Sequence, residues 1–442
     1  MSLRFLLCIV LSTFLASTAQ ASENWPSWRG PTGMGQSDES NLPLTWNGKT
    51  QENLFWKAPL FPPHKVRHDQ NQSSPIVWGR FVFVTLSYWP EGTTEKDYPE
   101  HHVLGFDAKD GKKLWDTTIP PGPWKLTDLR GGYTAPTPAT DGNHVYAIFG
   151  SSVVAALDFQ GKMVWRKEIT PHHFDVAWGA SPIIYKDTII VVCDHLKAKK
   201  SSTIYALDGK SGAIRWEKKR PQVDWSHSTP LLAKINDKLQ LVTATFNGPH
   251  GLDPGTGTTL WFFHDSQQLG DTVTPIVRDG QLYVDSGRGG MGVAVDATGA
   301  GDVSKTHLKW KAPAVAAGFS SPVLVGDHLY RLHGAGILTC WNWATGEKVF
   351  QGRLEGAETA CSPIATTDGR IYCASAGRSY VLKAGNALEI LARNDLGDGS
   401  RASPAVAAGR IFVKGERFLY CIGAKGVRSG VRGEGRCARI DN

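Results

Sequence analysis

One unit of the sequence reads Ser181-Pro182, then Ile189-Ile190, then Leu207-Asp208-Gly209-Lys210-Ser211-Gly212, and ends at Trp216. These segments are typical of short strands and of the turns that join them, and the same order returns along most of the chain. The copies follow one another at a period of about 40 to 50 residues. A β-type unit of this length buries both of its faces only when it stacks on copies of itself. The repeat therefore predicts a β-propeller.

A small hydroxylated residue followed by proline begins each unit. The eight pairs are Ser74-Pro75, Thr137-Pro138, Ser181-Pro182, Thr229-Pro230, Thr274-Pro275, Ser321-Pro322, Ser362-Pro363 and Ser403-Pro404. A short apolar strand motif follows these pairs, as in Val82-Phe83, Val145-Tyr146, Ile189-Ile190, Leu282-Tyr283, Leu329-Tyr330, Ile371-Tyr372 and Ile411-Phe412. We interpret each pair as the start of the innermost strand of one blade.

Most units continue with a third strand that ends in Asp and with a Gly turn that leads to a Trp-containing strand. Leu157-Asp158-Phe159-Gln160-Gly161 leads to Trp165, and Leu252-Asp253-Pro254-Gly255-Thr256-Gly257 leads to Trp261. In such a turn Gly supplies a positive φ and Asp accepts hydrogen bonds from nearby backbone. We expect the Trp on the outermost strand, packed against the neighbouring blade, where its burial contributes about 3 kcal/mol or more.

The two ends of the repeat array complement each other. The last unit, Ser403 to Ile422, supplies three strands and stops before any Trp strand. At the other end, Asn53-Leu54-Phe55-Trp56-Lys57-Ala58 has the pattern of a fourth strand with no unit before it. Joining the two ends in one sheet would leave no free edge. We therefore predict an all-β, eight-bladed propeller of four-stranded antiparallel blades, closed by an N-terminal strand.

The repeated Asp-x-x-(Ser/Thr)-Gly-x-x-x-Trp pattern resembles the pyrroloquinoline-quinone-type propeller repeat. Quinoprotein alcohol dehydrogenases share that repeat with BamB, the accessory lipoprotein of outer-membrane barrel assembly. The resemblance covers about Asn53 to Ala424, and the preceding Trp25-Pro26-Ser27-Trp28-Arg29-Gly30-Pro31 resembles the start of secreted bacterial members. It implies the fold. It does not by itself imply an activity, because the motif residues are structural and recur in catalytic and non-catalytic members alike.

Both ends of the chain lie outside the repeat. Residues 1–21 have the pattern of a signal peptide, with Arg4, an apolar run from Phe5 to Leu15 and the small-residue cleavage site Ala19-Gln20-Ala21. The run is too short to span a membrane, so we expect a soluble exported protein, periplasmic or extracellular. Residues 22–52 form an N-terminal extension, 53–424 the propeller and 425–442 a basic, Gly-rich tail that is predicted to be disordered.

Charge and short motifs argue against several kinds of site. The formal net charge is +7, part of it in the tail, which is too mild and dispersed to predict nucleic-acid binding. Gly287-Arg288-Gly289-Gly290-Met291-Gly292 matches a phosphate-binding pattern, but a strand follows it where a helix is needed. We interpret it as a flexible hairpin of the fifth blade. Cys361 and Cys373 lie on the two arms of one hairpin, so an oxidising compartment could pair them.

The loops just before the (Ser/Thr)-Pro pairs are the candidate site, because loops there converge on the channel and are free of packing duty. Their chemically notable residues are Arg130, Tyr133, His172, His173, Asp175, Trp178, Asp224, Trp225, His227, Asp271, Glu358 and Arg401. Two long insertions, Ser87 to His101 and Pro120 to Gly132, should wall this mouth. We predict that a ligand or partner contacts Arg130, Tyr133, Asp175, Trp178, Trp225, His227 and Arg401.

Two classes of function remain open for this mouth. The first is a non-catalytic scaffold that binds an envelope protein, a peptide or a saccharide, with the chain itself a monomer and no cofactor. The second is a quinone-dependent alcohol or sugar dehydrogenase, in which Trp178 or Trp225 stacks on pyrroloquinoline quinone and calcium polarises it. The resemblance implies an adjacent cysteine pair and an acidic-plus-amide calcium site for such enzymes, and the sequence has no such cysteine pair. We therefore predict the scaffold, with no catalytic residues and no metal site.

Overall fold

The computed structural model describes residues 24–170, 179–399 and 401–424. Within these ranges the chain forms eight antiparallel sheets arranged as consecutive blades. Each innermost strand starts directly after its (Ser/Thr)-Pro pair, and several neighbouring innermost strands contact one another. The prediction of an all-β, eight-bladed propeller is confirmed.

The first four blades follow the order of the repeats and carry two additions. Their strands, from innermost to outermost, are Ile76–Trp78, Phe81–Pro90, Glu100–Asp107 and Lys113–Ile119 in blade 1; Ala139–Thr140, His144–Phe149, Val153–Asp158 and Met163–Glu168 in blade 2; Ile183–Tyr185, Thr188–Cys193, Thr203–Asp208 and Ile214–Lys219 in blade 3; and Leu231–Ile235, Lys238–Thr245, Gly248–Leu252 and Thr259–Phe262 in blade 4. Asn24–Trp25 and Val66–His68 add to blade 1. Gly301–Asp302 adds in parallel to the outer edge of blade 4.

The second four blades complete the ring. Their strands are Ile276–Arg278, Gln281–Asp285, Gly292–Asp296 and Leu308–Ala312 in blade 5; Val323–Val325, His328–Leu332, Ile337–Asn342 and Lys348–Arg353 in blade 6; Ile364–Ala365, Arg370–Cys373, Arg378–Lys383 and Glu389–Asp395 in blade 7; and Ala405–Ala407, Arg410–Lys414, Phe418–Ile422 and Leu54–Pro59 in blade 8. Short 3-10 helices occupy Lys197–Lys199 and Gly334–Gly336.

The outermost Trp residues join neighbouring blades. The indole Nε1 of Trp165 donates to Gly209 O at 2.8 Å, in the turn of the next blade. Gly212 of that turn has φ +70°, and a Cβ there would stand 2.8 Å from the Trp165 ring. Asp208 Oδ1 accepts the N–H groups of Lys210 and Ser211, so it holds the turn in shape. The Asp, the Gly and the Trp of the repeat therefore act together at this blade contact.

The (Ser/Thr)-Pro pairs form a second ring of contacts around the channel. In seven places the N–H of one hydroxylated residue donates to the hydroxyl of its counterpart in the next blade, at 2.8–3.1 Å; the donors are Ser74, Thr137, Ser181, Thr274, Ser321, Ser362 and Ser403. Proline follows each of them and has no N–H of its own to satisfy in this crowded centre. The pairs thus link the blades and leave few buried donors unpaired.

The N-terminal segment closes the ring. Leu54–Pro59 pairs antiparallel with Phe418–Ile422, with Trp56 opposite Cys421 and Ala58 opposite Leu419. Its side chains alternate between buried and exposed, as expected for an outer strand that covers one face of a core. The predicted closure by this strand is confirmed.

The extension before the closing strand packs across the innermost strands of several blades. Asn24–Trp25 pairs with the innermost strand of blade 1, and Gln36 forms a bridge with Ala365 in blade 7. Arg29 lies buried in between and donates to the carbonyls of Ser321 and Pro322 in blade 6.

Two remaining predictions concern cysteines and membrane segments. The cysteines at 193, 340, 361, 373 and 421 are buried thiols, and no disulfide joins Cys361 to Cys373 in this structure. The Cys361 thiol donates instead to Ala402 O. Over the described ranges, no helix is long and apolar enough to cross a membrane. The tail and the signal-like segment lie outside the described residues.

Candidate functional site

A cavity of about 620 Å³ opens at the end of the channel where the innermost strands begin. Every blade contributes the residue two positions before the hydroxyl of its (Ser/Thr)-Pro pair. These residues are Gln72, Ala135, Gly179, His227, Thr272, Phe319, Ala360 and Arg401. Trp28, Arg130, Gly131, Ser181, Thr229, Arg288, Glu358 and Thr359 complete the lining. We call this space the mouth cavity.

The floor of the mouth cavity comes from the N-terminal extension. The indole Nε1 of Trp28 donates to Thr274 Oγ1 at 2.8 Å. The neighbouring Arg29 is buried, and its burial, with the positive charge of Arg331, lowers the pKa of the guanidinium to about 9. Both residues reach into the channel from the opposite end, so the extension closes the cavity from below.

The two insertions build one wall together. Trp89, from the first insertion, packs with Leu126 and Tyr133 around the second in a separate buried cluster. The Tyr133 hydroxyl accepts the N–H of Leu126 at 3.0 Å, and the backbone N–H of Tyr133 donates to Asp69 Oδ2. Tyr133 is 1% exposed. It therefore supports the wall from within and does not face the cavity.

A buried carboxylate organises the wall formed by blades 4 and 5. Asp271 Oδ2 lies 2.8 Å from Arg288 Nε and accepts Gln268 Nε2 at 2.6 Å. Burial raises the pKa of Asp271 to about 7, although Arg288 opposes that change. His227 Nδ1 accepts the N–H of Gly179 at 3.1 Å, and burial together with Arg288 lowers the pKa of this imidazole to about 3. His227 is thus neutral across the physiological range.

Aromatic rings flank the Arg288 guanidinium. Its central carbon lies 4.8 Å from the Trp225 ring centroid and 5.8 Å from that of Phe319. Phe319 lines the mouth cavity and is 49% exposed, which is unusual for a large apolar side chain. Trp225 lies behind Arg288 and is absent from the lining. Both distances are within the range of cation–π contacts.

The remaining charges lie on the opposite side of the mouth cavity. Arg130 is paired with Asp128, and Arg401 Nη1 donates to Gln70 Oε1 at 3.3 Å. Burial raises the pKa of Glu358, against the influence of Arg401. Among the described residues, the lining therefore combines three arginines with one carboxylate of its own, that of Glu358.

The predicted site residues divide into four groups. Arg130, His227 and Arg401 line the mouth cavity. Trp225 contacts Arg288 but does not itself line the cavity, and Tyr133 is buried in the wall. Asp175 and Trp178 lie outside the described residues, as do His172 and His173. Among the residues that the structure describes, no group of three or more His, Cys, Asp or Glu side chains could hold a metal ion.

Arg288, Phe319 and Trp28 line the mouth cavity but were not among the predicted site residues. Arg288 belongs to the Gly-rich segment, which is the predicted hairpin of blade 5 but is not loose: Asp285 Oδ1 accepts the N–H of Gly287, and Ser286 Oγ accepts those of Arg288 and Gly290. Phe319 stands two residues before Ser321, so counting back from every (Ser/Thr)-Pro pair would have found it.

Comparison with known proteins places the chain in a family. The family described as outer membrane protein assembly factor BamB matches residues 99–351 and 293–388. BamB from Moraxella catarrhalis is 17% identical, with a TM-score of 0.57 over 84% of this chain and 98% of its own. No curated protein matches the sequence significantly. Since the matched residues span more than half of the sequence, the chain belongs to this BamB-like family of propeller repeats.

Two dehydrogenases share the fold. Quinohemoprotein alcohol dehydrogenase from Comamonas testosteroni is 13% identical, with a TM-score of 0.65 over 98% of this chain and 84% of its own. A europium-containing methanol dehydrogenase is 12% identical, with a TM-score of 0.63 over 88% of this chain and 89% of its own. At such identities the likeness shows the architecture alone.

Proposed function

We propose that this family member is an exported, non-catalytic propeller that binds a ligand or partner in its mouth cavity. The observation that carries the proposal is a cavity to which all eight blades contribute the same position and which Trp28 closes from below. Its volume of about 620 Å³ falls within the usual range of ligand sites, roughly 300–1,000 Å³. Export rests on the signal-like pattern of residues 1–21.

The polar groups of the lining favour binding over chemistry. The hydroxyls of Ser181 and Thr229 accept N–H groups in the ring of cross-blade hydrogen bonds. His227 accepts the N–H of Gly179, and the carboxylate of Asp271 is engaged by Arg288. A nucleophile needs a base within hydrogen-bonding reach. Within the described part of the lining, these groups are held by structural contacts and form no such pair.

A quinone-dependent dehydrogenase is the alternative, because proteins of that class share the fold. When bound, the quinone would carry the redox chemistry, and calcium would need several oxygen ligands. The described lining offers the Glu358 carboxylate from blade 7 and the Gln72 amide from blade 1, whose Nε2 donates to Arg130 O. Such separate donors do not form a calcium site. The described residues therefore do not fit the quinone with its calcium.

A cavity-filling variant tests the binding proposal. Ala360→Trp places a large ring among the lining residues, and Ala213→Trp is the matched control, since Ala213 is exposed in a blade 3 turn far from the lining. Immobilised wild type and both variants are exposed to envelope extract and to its polysaccharide fraction. We expect Ala360→Trp to lose the captured ligand or partner and Ala213→Trp to retain it.

The same preparation separates the two candidate functions. Purified wild type is mixed with pyrroloquinoline quinone and calcium, and its absorption spectrum and melting temperature are recorded. A stoichiometric quinone spectrum that Ala360→Trp abolishes would overturn the scaffold and support the dehydrogenase. Equal capture by wild type and Ala360→Trp would move the binding surface away from the mouth cavity.

A further inference from the structure

Arg288 presents one hydrogen-bonding edge to the protein and another to the mouth cavity. Its Nε lies 2.8 Å from Asp271 Oδ2, and its side chain is 40% exposed. Over the described ranges, its two Nη atoms make no hydrogen bond, and the residue lines the mouth cavity. Arginine has five donors in a fixed fork and binds carboxylates through two parallel hydrogen bonds. The outer edge of Arg288 therefore has the geometry of an anion-binding group.

The surroundings fix this guanidinium before any ligand arrives. Trp225 and Phe319 flank it. Its backbone is held by Ser286 Oγ. Gly287 has φ +68°, and a Cβ there would overlap Thr272 Oγ1, so the loop approaches the wall more closely than another residue would allow. A pre-organised donor loses little entropy on binding.

The rest of the lining favours a saccharide as the carrier of the anion. Thr272 and Thr359 add hydroxyls, and Phe319 provides an exposed aromatic face beside Arg288. Hydroxyl and amide groups beside exposed aromatic surface suit a polyhydroxylated ring better than an apolar side chain.

From these contacts we infer that Arg288 anchors a carboxylate of an acidic saccharide in the mouth cavity. The inference rests on the proposed binding function and names the chemical class of its ligand. Arg130 and Arg401 also line the mouth cavity, farther from Arg288, and attract further carboxylates of the same saccharide. Glu358 sets a limit, because a carboxylate directly beside it would be repelled.

Three probes distinguish the sources of binding. Trigalacturonate carries the acidic sugar, its fully methyl-esterified form carries the same rings without charge, and triglutamate carries carboxylates on a peptide. Binding to purified full-length protein is measured by calorimetry at fixed ionic strength. We expect trigalacturonate to bind about tenfold or more tightly than its ester and triglutamate to bind no better than the ester.

Variants assign the effect to Arg288. Arg288→Gln should weaken trigalacturonate binding about tenfold or more and leave binding of the ester unchanged. Arg288→Lys keeps the charge without the fork of donors, so its affinity for trigalacturonate should lie between those of wild type and Arg288→Gln. Arg353→Gln is the control, since Arg353 is exposed on the outer strand of blade 6 and is not part of the lining. Melting temperatures check that each variant is folded.

Several outcomes would overturn the inference. Equal affinity for the acid and its ester, an equal loss in Arg288→Gln and Arg353→Gln, or binding of triglutamate without trigalacturonate would each do so. If one of these outcomes is observed but Ala360→Trp abolishes capture from envelope extract, the acidic-saccharide inference fails and the proposed binding function stands. If Ala360→Trp also changes nothing, both fail.

Discussion

Trp28 donates its indole N–H to Thr274 Oγ1, 246 positions away in sequence, at 2.8 Å. In the other blades this hydroxyl position accepts a backbone N–H from the preceding blade, and within the described residues only the link from Thr229 to Thr274 is not made. The N-terminal extension thus supplies the donor at the one interrupted place. The same side chain forms the cavity floor, so the extension belongs to the site as well as to the fold.

A double-mutant cycle measures this contact. Trp28→Phe keeps an aromatic floor without the donor, and Thr274→Val keeps the side-chain shape without the acceptor. We expect a coupling free energy of about 0.5–1.5 kcal/mol between them, from urea unfolding of the two single variants and the double variant. Thr274→Ser, which keeps the hydroxyl, should couple to Trp28 as Thr does. Strictly additive losses would show that the hydrogen bond contributes nothing.

Ring closure depends on a six-residue strand, Leu54–Pro59. Deleting residues 22–60 removes it and exposes the third strand of blade 8, whose edge groups would then pair with other molecules. We expect aggregation, measured by light scattering and size-exclusion chromatography. Deleting only 22–52 keeps the closing strand and is the matched control, which should lose stability but remain less prone to aggregate. A monomeric, equally stable 22–60 deletion would contradict the closure.

The fold can be predicted from the sequence because the repeated motif residues are the same residues that form the contacts between blades. Gly212 packs against Trp165, and Ser181 accepts the N–H of Thr137, and equivalent contacts recur in most copies of the unit. These residue types therefore repeat with the blades. Leu54–Pro59 could be placed because a missing strand at one end matched a surplus strand at the other.

The site is less readable because its residues need not repeat. The residues two positions before the hydroxyls are as different as Gly179, Phe319 and Arg401, so only their spacing identifies them. Trp28 belongs to no repeat, and no local pattern relates it to Thr274. Tyr133 was predicted at the mouth from its loop position, yet an insertion long enough to form its own core buries it.

The glycine of each turn is tested by adding one methyl group. Gly161 has φ +83°, and a Cβ there would lie 2.6 Å from the Trp115 ring. Gly161→Ala should therefore lower the free energy of unfolding by about 1–3 kcal/mol, through strain and displacement of the indole. Gly385→Ala is the control, because nothing lies within 4 Å of a Cβ at that position. Equal urea midpoints for both variants would mean that the turn does not hold the Trp.

The hydroxyl ring predicts a cost for removing one member. Ser321 Oγ accepts the N–H of Thr274 at 3.1 Å in a buried position. Ser321→Ala leaves that donor without its partner, so we expect a loss of about 1–3 kcal/mol in unfolding free energy. Ser40→Ala, at an exposed position of the extension, should change it by less than about 0.5 kcal/mol. A neutral Ser321→Ala would show that the ring is dispensable.

Acid sensitivity should depend on His101, which is fully buried in the wall of blade 1. Its Nδ1 lies 2.9 Å from Ser87 Oγ and its Nε2 2.9 Å from Ser151 Oγ, and the ring stacks on Phe149. Burial, with smaller electrostatic contributions from His102 and Arg166, lowers the pKa of His101 from 6.5 to about 3. The folded protein therefore keeps this imidazole neutral, while the unfolded chain binds a proton below pH 6.5.

The stability that this histidine contributes is present above pH 6.5 and is lost as the pH falls towards 3. At pH 5 the loss amounts to about 2 kcal/mol from this residue alone. Asp271 has a raised pKa of about 7 and acts in the opposite direction. It is present in wild type and in a His101→Gln variant alike, so its contribution cancels in the difference between their unfolding free energies. His101→Gln should be less stable than wild type at pH 7.5, and this deficit should shrink by about 2 kcal/mol at pH 5. Urea midpoints at the two pH values measure it; a deficit that does not change with pH would mean that His101 does not titrate on unfolding.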